Sequence, residues 1–187
     1  MNAEIDISKT ELKTRRLTLR PWRESELDHF YEYASVDGVG EMAGWCHHTS
    51  KEESKEILDM FIREKKTFAI DYNGKAIGSL GIEWYKEEDM PELADQKGRE
   101  IGFVLSKDYW GQGLMPEAVR AVIAYLFDEL GLDFIICCHY TDNPRSGRVQ
   151  EKCGFRFYKS NRSMTRYGVE KDGCVNILFR KNDKHIG

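Results

Sequence analysis

A chain of 187 residues with 28 basic and 32 acidic side chains, a formal charge of -4 and 41% hydrophobic residues has the make-up of one globular domain. The acidic balance argues against a nucleic-acid surface, where a basic excess is the electrostatic footprint, and no apolar run approaches the roughly 18 residues that span a bilayer. Met1 to Asp6 is acidic and leads into no apolar stretch, and the five cysteines form no Cys-x-x-Cys pair, so reduced thiols in the cytoplasm are expected.

Arg16 to Arg20 alternates polar and apolar residues and stops at Pro21, which predicts a first strand. Ser25 is placed to cap a helix carrying Leu27, Phe30 and Tyr31. Ser50 with Glu53 makes a capping box for a second helix with Ile57, Leu58, Phe61 and Ile62 on one face. Phe68 to Tyr72, the Asn73-Gly74 turn and Ala76 to Trp84 predict a hairpin. The acidic stretch Lys86 to Asp95 reads as a solvated loop or as an attractor for a cationic substrate. Glu100 to Leu105 is the next strand, and a helix with Val119, Val122, Ile123 and Leu126 on one face should end at Gly131. Phe134 to Tyr140 is a strand that packs Cys137 and Cys138, Pro144 to Lys152 a short helix, and Phe155 to Tyr158 and Val175 to Arg180 late strands. This order predicts an α/β fold of the α+β type, a mostly antiparallel mixed sheet of about six to seven strands flanked by about four helices, with one strand-helix-strand crossover.

The segment Tyr109 to Ala118 joins that strand to that helix through Gly111 and Gly113. Glycines let the chain turn tightly, Pro116 suits the first helical position, and the unpaired N–H groups of a first turn attract anions. A dinucleotide fingerprint would need Gly or Ala at position 116, and a Walker A loop would need Lys after Gly113, where Leu114 and Met115 stand. Another kind of phosphate cradle, or a glycine turn without a ligand, remains. Cys46, His47 and His48 do not make a metal site, because adjacent residues seldom converge on one ion and no second cluster completes the set.

Trp110-Gly-Gln-Gly113-Leu-Met115 resembles the acetyl-CoA pyrophosphate loop of the GNAT superfamily of N-acetyltransferases. Its Trp-Gly-x-Gly form, with Glu117-Ala118 behind it, is similar to the RimJ/RimL branch, whose known members acetylate amino termini of ribosomal proteins. A second block, Asn143-Pro-Arg-Ser146-Gly-Arg148-Val149-Gln-Glu151-Lys152-Cys-Gly154-Phe155, resembles the same branch, as do Arg16 to Trp22 and Glu100 to Leu105. The likeness is strongest over residues 14–160 and makes 1–187 a single GNAT domain. Two departures stand out: Met115 takes the place of a Gly or Ala, and Gln150 stands where many members carry a tyrosine that protonates the leaving thiolate.

The resemblance implies an acyltransferase that moves an acetyl group from acetyl-CoA to a primary amine, a protein N-terminal α-amine or a small-molecule amine, by direct attack with a general base. It places the cofactor on the cradle residues Trp110, Gly111, Gln112, Gly113, Leu114, Met115 and Pro116, with N–H groups of Gln112, Gly113 and Met115 on the pyrophosphate. The pantetheine arm would lie along Phe103, Val104 and Leu105, with Asn143 and Ser146 beside it and Arg148 or Lys152 toward the phosphates. Glu100 is the first candidate for the base and Glu83 the second; Ser146 is the first candidate for the acid and Tyr140 the second. Trp45, His47 and His48 would line the acceptor site. Acetyl-CoA and the amine are then the expected partners of a monomer or homodimer, with no metal, nucleic acid or membrane. The missing tyrosine motivates a rival from another class, a catalytically silent GNAT-fold protein that binds or senses acyl-CoA.

Overall fold

One mixed sheet organises the chain, whose computed structural model describes residues 1–181. Its eight strands are β1 (Leu12–Lys13), β2 (Thr18–Pro21), β3 (Thr67–Tyr72), β4 (Lys75–Glu83), β5 (Gly98–Leu105), β6 (Phe134–Tyr140), β7 (Arg156–Met164) and β8 (Glu170–Phe179), in the order β1-β2-β3-β4-β5-β6-β8-β7. Neighbours pair antiparallel except β5 and β6, which are parallel and joined through α3 (Leu114–Ala124), since a parallel pair needs a crossover. The expected six to seven strands become eight because the short β1 adds an edge to β2. The closing hairpin is also longer than expected: β7 runs on to Met164 and β8 starts at Glu170, through polar stretches that carry no apolar alternation.

Alternation along the strands divides the interior. In β3, Phe68 and Ile70 pack with Val119 and Val122 of α3 and with Leu126 in the turn after it, whereas Ala69 packs with Phe30 of α1 (Leu27–Ala34) and Leu58 of α2 (Lys51–Glu64). A third cluster joins Ile136, Val175 and Ile177 of β6 and β8 to Tyr85, Met90 and Leu93 in the loop after β4. The hairpin forms at Asn73 (φ 52°) and Gly74 (φ 85°), both left-handed as a tight two-residue turn requires.

Three helix starts differ from expectation. Ser25 is exposed and caps nothing; the chain enters α1 through a 3-10 turn, Glu24–Glu26. Glu26 is instead buried against Arg20 at 2.5 Å, and Arg20 reaches Asp71 at 2.6 Å, so one ion triad ties β2, the entry of α1 and β3. At α2, Ser50 accepts from the Glu53 N–H at 3.2 Å, but the Glu53 carboxylate takes the Thr49 N–H at 2.8 Å, one residue earlier than a capping box would. The helix α3 starts at Leu114 behind Gly113 (φ 74°), so Pro116 is its third residue, where its missing N–H still costs nothing. A π turn, Tyr125–Glu129, extends α3, and Gly131 (φ 67°) ends it.

The pairing of β5 with β6 runs only over Gly98, Arg99 and Glu100 against Phe134, Ile135 and Ile136. Gly98 pins it, because a Cβ there would meet the Phe134 ring at 2.2 Å. Beyond Glu100 the two strands part, β5 staying with β4 to Leu105 and β6 with β8 to Tyr140.

Candidate active site

The parting of β5 and β6 leaves main-chain groups without a strand partner. The Ser106 N–H donates to the Ile77 carbonyl at 2.8 Å, so in the alternation of an antiparallel ladder Val104 bonds to β4 while Phe103 and Leu105 turn their main-chain groups toward the gap. The Trp110 indole N–H confirms that direction by donating to the Leu105 carbonyl at 2.8 Å, which also ties the glycine loop to the end of β5. The gap widens into a cavity of about 750 Å3.

The cavity runs along the cradle. Gly111 (φ 77°) and Gly113 (φ 74°) supply left-handed backbone, and among the described residues the N–H groups of Gln112, Gly113, Leu114 and Met115 have no acceptor. The cradle is braced from behind: Arg16 donates to the Gln112 carbonyl at 3.0 Å and to Glu117 at 2.7 Å, and Glu117 also accepts from Thr14 at 2.6 Å. Partial burial would raise the Glu117 carboxyl, but the bonds from Thr14 and Arg16 hold it below the ordinary range. Met115, in the place of a Gly or Ala, buries its side chain in the α3 core and leaves its N–H at the helix start.

Of the expected cofactor residues, Phe103, Val104, Leu105, Trp110, Gly111, Gly113, Leu114, Met115 and Pro116 line the cavity, and so do Asn143, Ser146, Arg148 and Lys152 from α4 (Pro144–Lys152) and its cap. Gln112 is exposed outside the lining, with its side chain on the Asp108 carbonyl at 3.2 Å. Asn143 is already engaged: its Oδ1 caps α4 by accepting from the Ser146 N–H at 3.2 Å, and its Nδ2 donates to the Met42 carbonyl at 3.2 Å. Arg145, to which the motif gives no role, lies 4.9 Å from the Trp110 ring centre and lines the same wall.

The candidate bases separate. Glu100 lines the cavity where the strands part; burial pushes its carboxyl up from the ordinary value, a hydrogen bond with the Cys138 thiol opposes this, and nearby Glu83 adds to the rise. Glu83 lies outside the lining, paired with Lys66 at 2.6 Å. Tyr140 lines the cavity with the Lys171 ammonium 5.1 Å from its ring.

Trp45, His47 and His48 are not brought into the lining. His48 is buried, bonded to Ser54 at 2.7 Å and edge-on to Phe30 at 5.4 Å, and burial pushes its pKa below the ordinary histidine value. Trp45 packs on His48 at 5.0 Å. His47 meets Glu41 at 2.9 Å, and Asp37, Glu41 and His47 bring their ligand-type atoms within 4.8 Å of one another. Burial would raise the Glu41 carboxyl, but N–H donors from His47 and Gly38 hold it at about 2. Other residues wall the end of the cavity beyond Glu100: Trp84, Lys86 and Asp89 from the loop after β4, and Lys159 and Asn161 from β7. Trp84, where the sequence ends the hairpin strand, is exposed just after β4, and its ring carries the buried Arg99 guanidinium at 3.8 Å.

Residues 16–156 match the family described as acetyltransferase (GNAT) domain. An uncharacterized N-acetyltransferase of Bacillus subtilis, YoaA, is 31% identical over 156 residues, 78% of this chain and 82% of its own. Among solved structures, a GNAT-family acetyltransferase from Bacillus anthracis superposes with a TM-score of 0.79 at 24% identity, covering 91% of this chain and 98% of that one. The Microcin C7 self-immunity acetyltransferase MccE, solved in complex with acetyl-CoA and AMP, gives a TM-score of 0.76 at 14% identity over 95% and 100% of the two chains. Among the described residues no helix is long and apolar enough to cross a membrane.

Proposed function

The chain belongs to the GNAT acetyltransferase family, and from that membership we propose that it moves an acetyl group from acetyl-CoA to a primary amine, a protein N-terminal α-amine or a small-molecule amine. The observation that carries this reading is the continuity of the β5–β6 gap with the cradle. The main-chain groups of Phe103 and the N–H of Leu105, whose carbonyl is taken by Trp110, suit an extended, amide-bearing arm, as an open sheet edge suits a peptide, and the unpaired N–H groups at Gln112 to Met115 suit a pyrophosphate. Arg145, Arg148 and Lys152 add positive charge on the same wall.

When bound, acetyl-CoA supplies an activated thioester. Glu100 takes the proton that the attacking amine gives up, and its raised pKa brings it toward the range where a base can both accept and release a proton. At pH 7 an α-amine of pKa about 7.8 costs on the order of 1 kcal/mol to deprotonate, against roughly 4.6 for lysine, so a modest carboxylate base suits an amino terminus. An N–H of Phe103 or Leu105 donates to the carbonyl oxygen as charge grows on it. Ser146 donates to the departing sulfur. A leaving thiol that behaves like that of Cys, near pKa 8.5, departs without obligatory full protonation, so this contribution is smaller than that of the base. The same reading makes the protein a cytoplasmic, metal-independent transferase of one domain, monomeric or homodimeric.

A rival reading has one observation behind it: Gln150, at the family's tyrosine position, is fully buried and outside the lining, so it cannot serve as an acid. A silent acyl-CoA binder would show a thermal shift with acetyl-CoA and no acetylated product. Incubation with acetyl-CoA and a panel of amines and short peptides, read by free-thiol release and mass spectrometry, tests the choice. Acetylated α-amine with stoichiometric CoA is the expected result; binding without product across the panel would favour the silent protein.

A further inference from the structure

Gln150 sits in a closed set of hydrogen bonds. Its Nε2 donates to the Cys138 carbonyl at 3.1 Å and to Ser146 Oγ at 3.2 Å, and its Oε1 accepts from Asn176 Nδ2 at 2.6 Å. Asn176 is in turn 3.5 Å from His139 Nδ1 through the same nitrogen. The orientation of the Gln150 amide is forced, because the Cys138 carbonyl can only accept and so must face the amide nitrogen. That nitrogen has two hydrogens and no lone pair to offer, so its second hydrogen goes to Ser146, and Ser146 Oγ is the acceptor in that bond. The serine's own hydrogen therefore points elsewhere. Among the described residues it meets no protein acceptor, the Ser146 N–H being the group that faces Asn143, and Ser146 lines the cavity. Residues 146 and 150 are one helical turn apart on the same face of α4, which is what lets the second act through the first.

We propose that Gln150 is a positioning residue that fixes the Ser146 hydroxyl as a hydrogen-bond donor aimed into the cavity, so that the position of the missing tyrosine still serves the leaving sulfur through the side chain one turn before it. The inference rests on acetyl-CoA binding with its sulfur end near Ser146. As the carbon–sulfur bond breaks, its electron pair stays on sulfur, Ser146 donates a hydrogen bond to that thiolate without giving up its proton, and the amine's proton goes to Glu100. Asn176 completes the device by holding Gln150 Oε1, which prevents the amide from flipping.

The test is Gln150→Glu beside Ser146→Ala and the double variant. Whether ionised or protonated, the glutamate oxygen in place of Nε2 has at most one hydrogen, which the Cys138 carbonyl claims, so its lone pairs draw the Ser146 hydroxyl inward. Two quantities are read: the pKa of the thiol of free CoA bound to each protein, from thiolate absorbance against pH, and steady-state turnover. Wild type should hold the thiol of bound CoA below that of free CoA titrated in the same buffer, and Gln150→Glu and Ser146→Ala should both bring it back up by the same amount. Both should lower kcat about tenfold with the KM for acetyl-CoA within about twofold, less than the usual general-acid effect because the thiolate is a good leaving group, and the double variant should be no slower than either single. A folded Gln150→Glu protein with wild-type thiol pKa and kcat, losses that multiply in the double variant, or a Ser146→Ala protein unchanged in both readouts would each overturn the proposal. If Gln150→Glu does not fold, Gln150→Met, which frees the Ser146 hydroxyl to rotate, should raise the thiol pKa in part, and no rise would overturn it. A wild type that turns over no amine yet shows the thiol shift and its loss on Gln150→Glu would sink the transferase reading alone and leave the positioning role standing.

Discussion

Along β5 and the start of α3 the cavity is walled by main-chain groups, whereas beyond Glu100 it is walled by side chains of the loop after β4 and of β7. Main-chain direction follows from strand alternation and from two left-handed glycines, so on the proposed function the first wall is the one suited to the amides and phosphates that any acyl-CoA presents. The second wall brings together Trp84, Asp89, Lys159 and Asn161 from distant parts of the sequence, and on the proposed function it is the wall left for the acceptor, which varies from one transferase to the next. A substitution on the first wall should change donor binding; one on the second should change acceptor binding. Glu100 stands where the walls meet and should change neither.

Glu100→Gln is expected to have the largest effect. Turnover at pH 7 should fall roughly 10²-fold or more with the acetyl-CoA thermal shift intact, as loss of a base demands. The base must be ionised to act and its pKa is raised, so the wild-type rate should fall as pH drops toward that raised value, and the limb should begin above the ordinary carboxylate range. In the variant this limb should disappear, and the defect should shrink toward pH 9, where more amine is already neutral. Rates measured from pH 5 to 9 that match wild type throughout would remove Glu100 from the mechanism.

Next in size is Gly113→Pro. Proline needs φ near −65° and Gly113 has +74°, and the substitution also removes a cradle N–H. A ligand at a hundred times its Kd stabilises by about 2.7 kcal/mol, and that shift should vanish while the kcat extrapolated to saturating acetyl-CoA changes far less. The melting curve without ligand controls for the cost of the strained turn itself. A folded variant with a full acetyl-CoA shift would separate the cradle from the cofactor.

The contrast between the walls also decides what could be read in advance. The hairpin at Asn73-Gly74, β6 and α4 follow from local rules, and their ends match expectation closely because each is set by a turn, a cap or a proline within a few residues. The glycine turn ahead of α3 was legible for the same reason, with its unpaired first-turn N–H groups. Pro116 misled by two positions because a left-handed Gly113 starts the helix without a capping side chain. The triad Arg20, Glu26 and Asp71 joins groups 51 positions apart, and no local pattern encodes it. Trp45, His47 and His48 are expected at the acceptor site only because the family resemblance puts that region beside the acyl group; what draws His48 inward is Phe30 of α1 and Ser54 of α2. The packing of Cys137 and Cys138 in the strand follows from the apolar run and holds for both, Cys137 in the α3-facing core and Cys138 against the cluster of Ile136 and Val175.

On the second wall, Lys159→Gln and Trp84→Phe should raise acceptor KM about three- to tenfold and leave acetyl-CoA KM within twofold, by analogy with the loss of one binding contact of about 1 kcal/mol. Trp84→Phe keeps an aromatic ring over Arg99, so the buried guanidinium retains its cover and the effect reports on the acceptor. Equal changes in both KM values would mean that the two walls do not divide the substrates.

The smallest effect belongs to the acidic loop. Glu87 is committed to structure, its carboxylate accepting from the Asn2 N–H at 2.7 Å and the Asn2 side chain at 2.9 Å. Asp89 lines the cavity, but Lys86 and Lys159 line it too, and the Lys159 ammonium donates to the Asp89 carbonyl, so positive charge offsets the acid at the mouth. Neutralising Glu88 and Asp89 together should therefore change acceptor KM by less than about twofold, and raising salt from 50 to 500 mM, which shortens the Debye length to about 4 Å, should move acceptor KM no more than acetyl-CoA KM. Phosphate contacts are the more exposed to screening, so the donor side should be the salt-sensitive one. An acceptor KM that climbs steeply with salt, and loses that slope in the doubly neutralised protein, would instead make the acidic loop the element that draws in a cationic acceptor and give the second wall a long-range role alongside its contacts.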